Sequence, residues 1–291
     1  MTDQNHLRPV IIIGAGRSGT NALRDSLCSL DNFHTWPCDE INYIWRSGNR
    51  DFATDELLST HARPEVRVKI ESAFLRRARK NDAATLIEKT CANSLRVGFV
   101  HEIFPNARFV HLVRDGRSVA ASASERWTAS LDLPYLLRKA RFVPRADLPY
   151  YAFRYLKTRL SRVRSDEKRL SWWGPRFHGM EDLSHDMPLV EVAAMQWKEC
   201  VERALTQLAE LPPRLVYQLD YRTLVTSPEE SLSSLLDFLG TSVSAIDLRR
   251  SAGMIHGGSR EKWREVLSPA EQKSVASIVA ETNALLGIGQ D

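Results

Sequence analysis

A central parallel β-sheet with helices on both faces, an α/β three-layer sandwich, is the fold class this sequence predicts. Three observations carry it. Short apolar, β-branched runs alternate with amphipathic segments along most of the chain. The first such run ends in a glycine-rich turn that leads straight into a helical pattern. The 291 residues suit one large α/β domain carrying an insertion.

Val10-Ile-Ile-Ile13 reads as a strand buried on both faces. Residues 18–30 follow as a helix, with Ala22, Leu23, Leu27 and Leu30 on one side. Residues 64–80 read as a second helix with proline in its first turn, and 84–88 as the next strand. Residues 94–103 read as a helix, 108–113 as a strand and 116–127 as the helix after it. Helices are expected at 187–211, 228–239 and 269–286, and a further strand at 215–219. Alternation of this kind implies right-handed crossovers, and ligands bind at the carboxyl ends of such strands. The stretch 131–185 breaks the rhythm. It is rich in Arg, Lys, Tyr, Trp and Pro, and reads as an insertion within a single domain spanning 1–291.

Composition narrows the function. Forty basic and 36 acidic residues leave a formal charge of +4, too small an excess to imply nucleic acid but compatible with an anionic ligand. The four cysteines, Cys28, Cys38, Cys91 and Cys200, include no CxxC pair, so reduced thiols are expected. The N-terminus has no apolar signal-like region, and no run approaches the ~20 apolar residues that span a bilayer. The expectation is a soluble, cytoplasmic protein.

The chemistry begins in the loop 14–20, Gly-Ala-Gly-Arg-Ser-Gly-Thr. Glycines between a strand and a helix let backbone N–H groups converge on an anion at the positive end of the helix dipole. Gly16, Arg17, Ser18, Gly19, Thr20 and Asn21 are the candidate phosphate contacts. The loop is P-loop-like, but Thr20 stands where the P-loop lysine would follow Gly19, and Arg17 supplies the cation instead. With no strand ending in the expected acidic pair, a magnesium triphosphate is a poor fit, and no metal is expected. A dinucleotide fingerprint also lacks its acidic strand end. A second motif, Val113-Arg-Asp-Gly-Arg-Ser118, again joins a strand to a helix. Arg114 and Ser122 together can hold a second phosphate; alternatively Arg114 pairs with Asp115 and the serine is exposed.

With these motifs in place, the chain resembles the sulfotransferases that use 3′-phosphoadenosine 5′-phosphosulfate (PAPS) and release 3′,5′-ADP (PAP). It is most similar to the tyrosylprotein-type and bacterial group. The resemblance runs through Gly16-Arg-Ser-Gly-Thr20, Glu88-Lys-Thr90, Ile-Phe-Pro-Asn-Ala-Arg-Phe at 103–109, Val113-Arg-Asp-Gly116, Asp220-Tyr-Arg-Thr-Leu224, Ser227-Pro-Glu-Glu-Ser-Leu232 and Leu236-Asp-Phe-Leu-Gly240. It leaves out 131–185. It implies that the first loop holds the 5′-phosphosulfate and that Arg114 with Ser122 holds the 3′-phosphate. It also implies that Tyr221 lies near the adenine, and that Ser259, Arg260 and Lys262 form a C-terminal phosphate-contacting loop.

Catalysis in such an enzyme needs a base for the acceptor hydroxyl and cations for the leaving oxygen. Glu40 is the candidate base, with Asp39 and His34 as competitors; Lys89 and Arg17 are the candidate cations. Cys91 follows Lys89-Thr90 where many cytosolic sulfotransferases place a histidine, which favours the glutamate. Ser94 either touches the sulfonate or caps the next helix. The implied acceptor is a hydroxylated molecule, for which the aromatic and basic insertion suits an anionic glycan or glycolipid. That insertion is either a solvated face, or a lid that holds the acceptor or rests on a membrane surface. A nucleotide kinase or other phosphotransferase, and a non-catalytic nucleotide-binding protein, are the alternatives.

Overall fold

A computed structural model describes residues 7–79, 85–128, 173–257 and 261–289. Five parallel strands form one sheet: β1 (Val10–Ile13), β2 (Phe33–His34), β3 (Thr85–Lys89), β4 (Arg108–Val113) and β5 (Val216–Asp220), in the spatial order β2-β3-β1-β4-β5. The expected class and the four expected strands are present, each within a residue of its predicted bounds. Strand β2 is an addition to them. Its two residues pair with Thr85 and Leu86 and are too short to show a periodicity.

Alternation along the strands builds the layers. Ile11 and Ile13 face a core with Trp45, Phe74, Phe99 and Phe109, whereas Val10 and Ile12 face another with Leu23, Leu27, Val110 and Leu235. All four residues of β1 are buried, as expected for the central strand of a parallel sheet.

The helices include α1 (Thr20–Leu27), α2 (Asn42–Trp45), α3 (Pro64–Arg79), α4 (Val97–Ile103), α5 (Gly116–Thr128), α6 (Met180–Asp186), α7 (Leu189–Ala209), α8 (Tyr221–Thr226), α9 (Pro228–Leu239), α10 (Ala245–Ala252), α11 (Lys262–Val266) and α12 (Pro269–Leu285). A third core packs α5, α7 and α12 together through Trp127, Trp197 and Val279. The helix expected over 94–103 is divided. Residues Cys91–Leu95 form a 3₁₀ turn, and α4 starts only after Arg96. Arg96 leaves helical geometry at φ −150° to bury its guanidinium completely, donating to Asn93 Oδ1 (2.9 Å) and Asn42 Oδ1 (2.6 Å). Most of the 131–185 stretch, expected to be an insertion, lies outside the described residues. Its described end includes Trp173 and α6.

Strand order reverses at β1, which has β3 on one side and β4 on the other. The crevice above such a switch point is where parallel α/β sheets take ligands. Among the described residues no helix is long and apolar enough to cross a membrane.

Candidate active site

The turn after β1 is built for close approach. Gly19, the N-cap of α1, has φ 92°, and a Cβ there would stand 2.4 Å from the Tyr221 ring. A Cβ on Gly14 would meet the Leu112 carbonyl oxygen at 2.8 Å. Gly16 faces the Trp173 ring, which a Cβ at that position would meet at 3.2 Å, so the described end of the 131–185 stretch rests on this loop. Gln196 of α7 fixes that end by donating to the carbonyls of Trp173 (2.7 Å) and Pro175 (2.8 Å). Arg17 is held at φ 72°, a left-handed conformation costing a non-glycine residue about 1–3 kcal/mol. Ser18 and Thr20 are buried, and Asn21 is exposed on the first turn of α1.

Arg17, Arg114 and Ser122 come together. Arg17 Nε donates to Ser122 Oγ (3.0 Å), and Arg114 Nη1 donates to the Arg17 carbonyl (3.0 Å). Arg114 lies 4.3 Å over the Tyr221 ring, a cation–π contact that fixes its height above the sheet. Asp115 does not take up Arg114. It bridges to Arg117 (2.9 Å) and accepts from Asn283 (3.1 Å), which sets aside the Arg114–Asp115 pair. Burial, with repulsion from Arg126 and Arg114, lowers the Arg17 pKa, and burial likewise lowers that of Arg114. Among the described residues neither guanidinium forms a salt bridge with a carboxylate. Two crowded cations at a helix N-terminus make a receptor for an anion.

Glu40 and Lys89 form the second group. Lys89, at the end of β3, is buried, and its Nζ lies 3.0 Å from Glu40 Oε1. The same oxygen accepts the Cys91 N–H at 3.3 Å. Burial would discharge Lys89, but Glu40 outweighs it and the pKa is raised. The competing bases are placed elsewhere. Asp39 is directed to Arg24 at 3.5 Å, and His34 sits opposite Leu86, three residues before Lys89 along β3. Cys91 joins the two groups, since its thiol meets the Thr20 side chain while its N–H meets Glu40; burial pushes that thiol well up. The arrangement can hold a hydroxyl's proton acceptor beside a buried ammonium, next to an anion-binding loop.

Other predicted residues are distributed around these groups. Tyr221 is buried at the start of α8, its ring between Gly19 and Arg114. Lys262 is exposed and reaches Glu125, one turn beyond Ser122 on α5, at 3.5 Å. Ser259 and Arg260 lie outside the described residues. Ser94 is no helix cap; it is inside the 3₁₀ turn, its buried hydroxyl without a partner among the described residues. Residues to which the sequence assigned no role stand behind the pair. Glu88 is wholly buried and accepts from Thr90 Oγ1 (2.5 Å) and Asn93 Nδ2 (2.8 Å); burial pushes its carboxyl up to about 7. An acid near the end of an apolar strand is the signal that could have found it.

A parallel sheet with a glycine-rich strand-to-helix turn at its switch point defines the phosphate-loop class of α/β proteins. The family model described as "Sulfotransferase family" matches residues 9–171, more than half of the sequence. This chain belongs to the sulfotransferase family, which supports sulfuryl transfer as its activity. Solved structures agree on the fold. Sulfotransferase STF9 from Mycobacterium avium is 13% identical, with a TM-score of 0.56 over 97% of this chain and 78% of that one. The sulfotransferase domain of the Synechococcus PCC 7002 olefin synthase is 17% identical (TM-score 0.51, 96% of each chain). The sulfotransferase domain from the curacin biosynthetic pathway is 15% identical (TM-score 0.51, 94% of this chain and 98% of that one). No curated protein matches the sequence.

Proposed function

We propose that this protein transfers the sulfuryl group of PAPS to an acceptor hydroxyl, with Glu40 as general base. The observation that carries the reading is the 3.0 Å contact between Glu40 and Lys89 beside the phosphate loop. The residues also suit a donor phosphorylated at two positions. One cradle is the Gly14–Thr20 turn; the other is the Arg17–Ser122–Arg114 cluster between β1 and β4. Bound there, the donor supplies a sulfuryl group on a phosphate leaving group.

The chain's own residues divide the work. Glu40 takes the proton of the acceptor hydroxyl as its oxygen attacks. Lys89, with its raised pKa, stays cationic and offsets negative charge on the leaving side. Arg17 adds a second cation from the loop. Arg114 and Ser122 fix the donor's register through its 3′-phosphate, and Tyr221, whose ring lies under Arg114, supplies an aromatic wall near the adenine. Asn21, Lys262, Ser259 and Arg260 complete the donor contacts in this reading. The acceptor is a hydroxylated molecule, an anionic glycan or glycolipid in the reading that the aromatic and basic 131–185 segment suggests, and the reaction is placed in the cytoplasm.

Calorimetry without metal tests the donor half. 3′,5′-ADP should bind at least about tenfold tighter than ADP, because one charge-assisted phosphate contact is worth about 1.5–3 kcal/mol. Equal affinities would reject the second phosphate site. Glu40→Gln tests the base: binding of 3′,5′-ADP should persist while sulfuryl transfer drops by about 10²–10⁴. ATP- and magnesium-dependent phosphoryl transfer by the wild type would instead establish a kinase.

A further inference from the structure

We infer that Glu88 and Thr90 are positioning residues that hold Glu40 in place through the backbone of Ile41. The inference rests on the reading of Glu40 as the base. Thr90 stands between two partners. Its hydroxyl accepts the Ile41 N–H at 3.2 Å and donates its one proton to Glu88 Oε1 at 2.5 Å. Ile41 is the residue next to Glu40 and the N-cap of α2, so that N–H would otherwise be an unpaired donor in a buried position. Because the hydroxyl has only one proton, its donation to Glu88 leaves its lone pairs to Ile41.

Glu88 is itself fixed from behind. Its other oxygen accepts Asn93 Nδ2 at 2.8 Å, and Asn93 cannot turn over, because its Oδ1 accepts Arg96 Nε at 2.9 Å. Arg96 in turn donates to Asn42 at 2.6 Å and lies 3.7 Å from Asp55. Arg96, Asn93, Glu88 and Thr90 are all buried, so each bond is shielded from water. The order is thus Arg96, Asn93, Glu88, Thr90, Ile41, with Glu40 at its end. The Glu40 side chain is 29% exposed and is held at one oxygen by Lys89 and the Cys91 N–H; Thr90 adds a hold on the backbone next to it.

Thr90→Val removes the hydroxyl at nearly constant volume. In Glu88→Gln the amide oxygen stays on Asn93, which Arg96 prevents from flipping, so the N–H₂ faces Thr90 and competes with the Ile41 N–H for the lone pairs of its hydroxyl. In crystal structures of either variant the separation of Glu40 Oε1 from Lys89 Nζ should exceed hydrogen-bonding range, against 3.0 Å in the wild type. With PAPS as donor and octyl β-glucoside as acceptor probe, whose hydroxyls keep their proton until a base removes it, kcat should fall about 10–100-fold, the scale of a base displaced by about 1 Å. KM for octyl β-glucoside and the affinity for 3′,5′-ADP by calorimetry should stay within about twofold, since neither residue touches the phosphate loop. Thr90→Ser restores the hydroxyl and should recover both the contact and kcat.

An unmoved Glu40–Lys89 contact in both Thr90→Val and Glu88→Gln overturns the inference, as does a kcat loss that Thr90→Ser does not recover. Glu40→Gln separates this from failure of the base assignment. If that variant is inactive while Thr90→Val keeps wild-type kcat, the positioning role fails alone. If Glu40→Gln keeps wild-type kcat, the base assignment fails, and with it the catalytic meaning of the positioning.

Discussion

The two cationic halves of the site differ in whether their charge is already answered. On the β3 side, Lys89 is buried and paired with Glu40 at 3.0 Å. On the β4 side, Arg17 and Arg114 crowd each other, are held by a serine hydroxyl, a backbone carbonyl and a tyrosine face, and repel. A buried ion pair keeps its geometry because breaking it leaves an uncompensated charge. Two crowded cations without a paired carboxylate are stabilised instead by an incoming anion. The first half is therefore suited to proton transfer in a fixed geometry, and the second to capturing a ligand.

Lys89→Ala should break the comparison most visibly. Removing a preorganised cation at a developing negative charge lowers kcat by about 10²–10³. Affinity for 3′,5′-ADP should change little if, as proposed, the anion receptor is the other half. Arg114→Ala should give the reverse pattern. Loss of one charge-assisted contact weakens 3′,5′-ADP by about 10–100-fold and leaves ADP nearly unaffected. Titration calorimetry and steady-state kinetics on the same two variants decide the matter. If both variants lose affinity and turnover together, the halves are one site with no division of work.

The β4 half was the more legible in sequence. Val10–Ile13, the glycine turn and Val113-Arg-Asp-Gly116 are local signals, each a short segment whose backbone preferences announce a strand end and a helix start. Residues Arg17, Arg114 and Ser122 followed from them, although their pairing did not. That Arg17 meets Ser122 while Arg114 meets Tyr221 depends on side chains 105 residues apart in one case and on the order of β1, β4 and β5 in the other. On the β3 half, Glu40 and Lys89 could be named, but what holds them could not. Glu88 lies in an apolar strand with nothing in its neighbours to show that Thr90 and Asn93 would turn back to it. Strand β2 and helix α2 escaped because two and four residues are too few for any period. Helix α10 did carry a signal, Ser244 capping Asp247, that composition alone obscured.

The smallest effect concerns stability, and it separates the halves by the titrating group beneath each. Under Lys89 is Glu88, whose carboxyl burial raises from 4.5 to about 7. Three residues before Arg114 is His111, whose imidazole burial lowers from 6.5 to about 4. Between pH 4.5 and 7 the folded protein holds a proton on Glu88 that the unfolded chain has released, so this group makes stability fall as pH rises. Between pH 4 and 6.5 the unfolded chain holds a proton on His111 that the folded protein lacks, so this one makes stability rise with pH. From pH 4.5 to 6.5 the two oppose, and their joint contribution in the wild type is nearly flat. Each slope alone is at most about 1.4 kcal/mol per pH unit, the value of one proton. Urea unfolding across this range should therefore show Glu88→Gln gaining stability with rising pH relative to the wild type, and His111→Gln losing it. Two variants whose profiles stay parallel to the wild type would mean that neither buried group titrates with folding, and the contrast between the strands would then be confined to the ligand-facing ends.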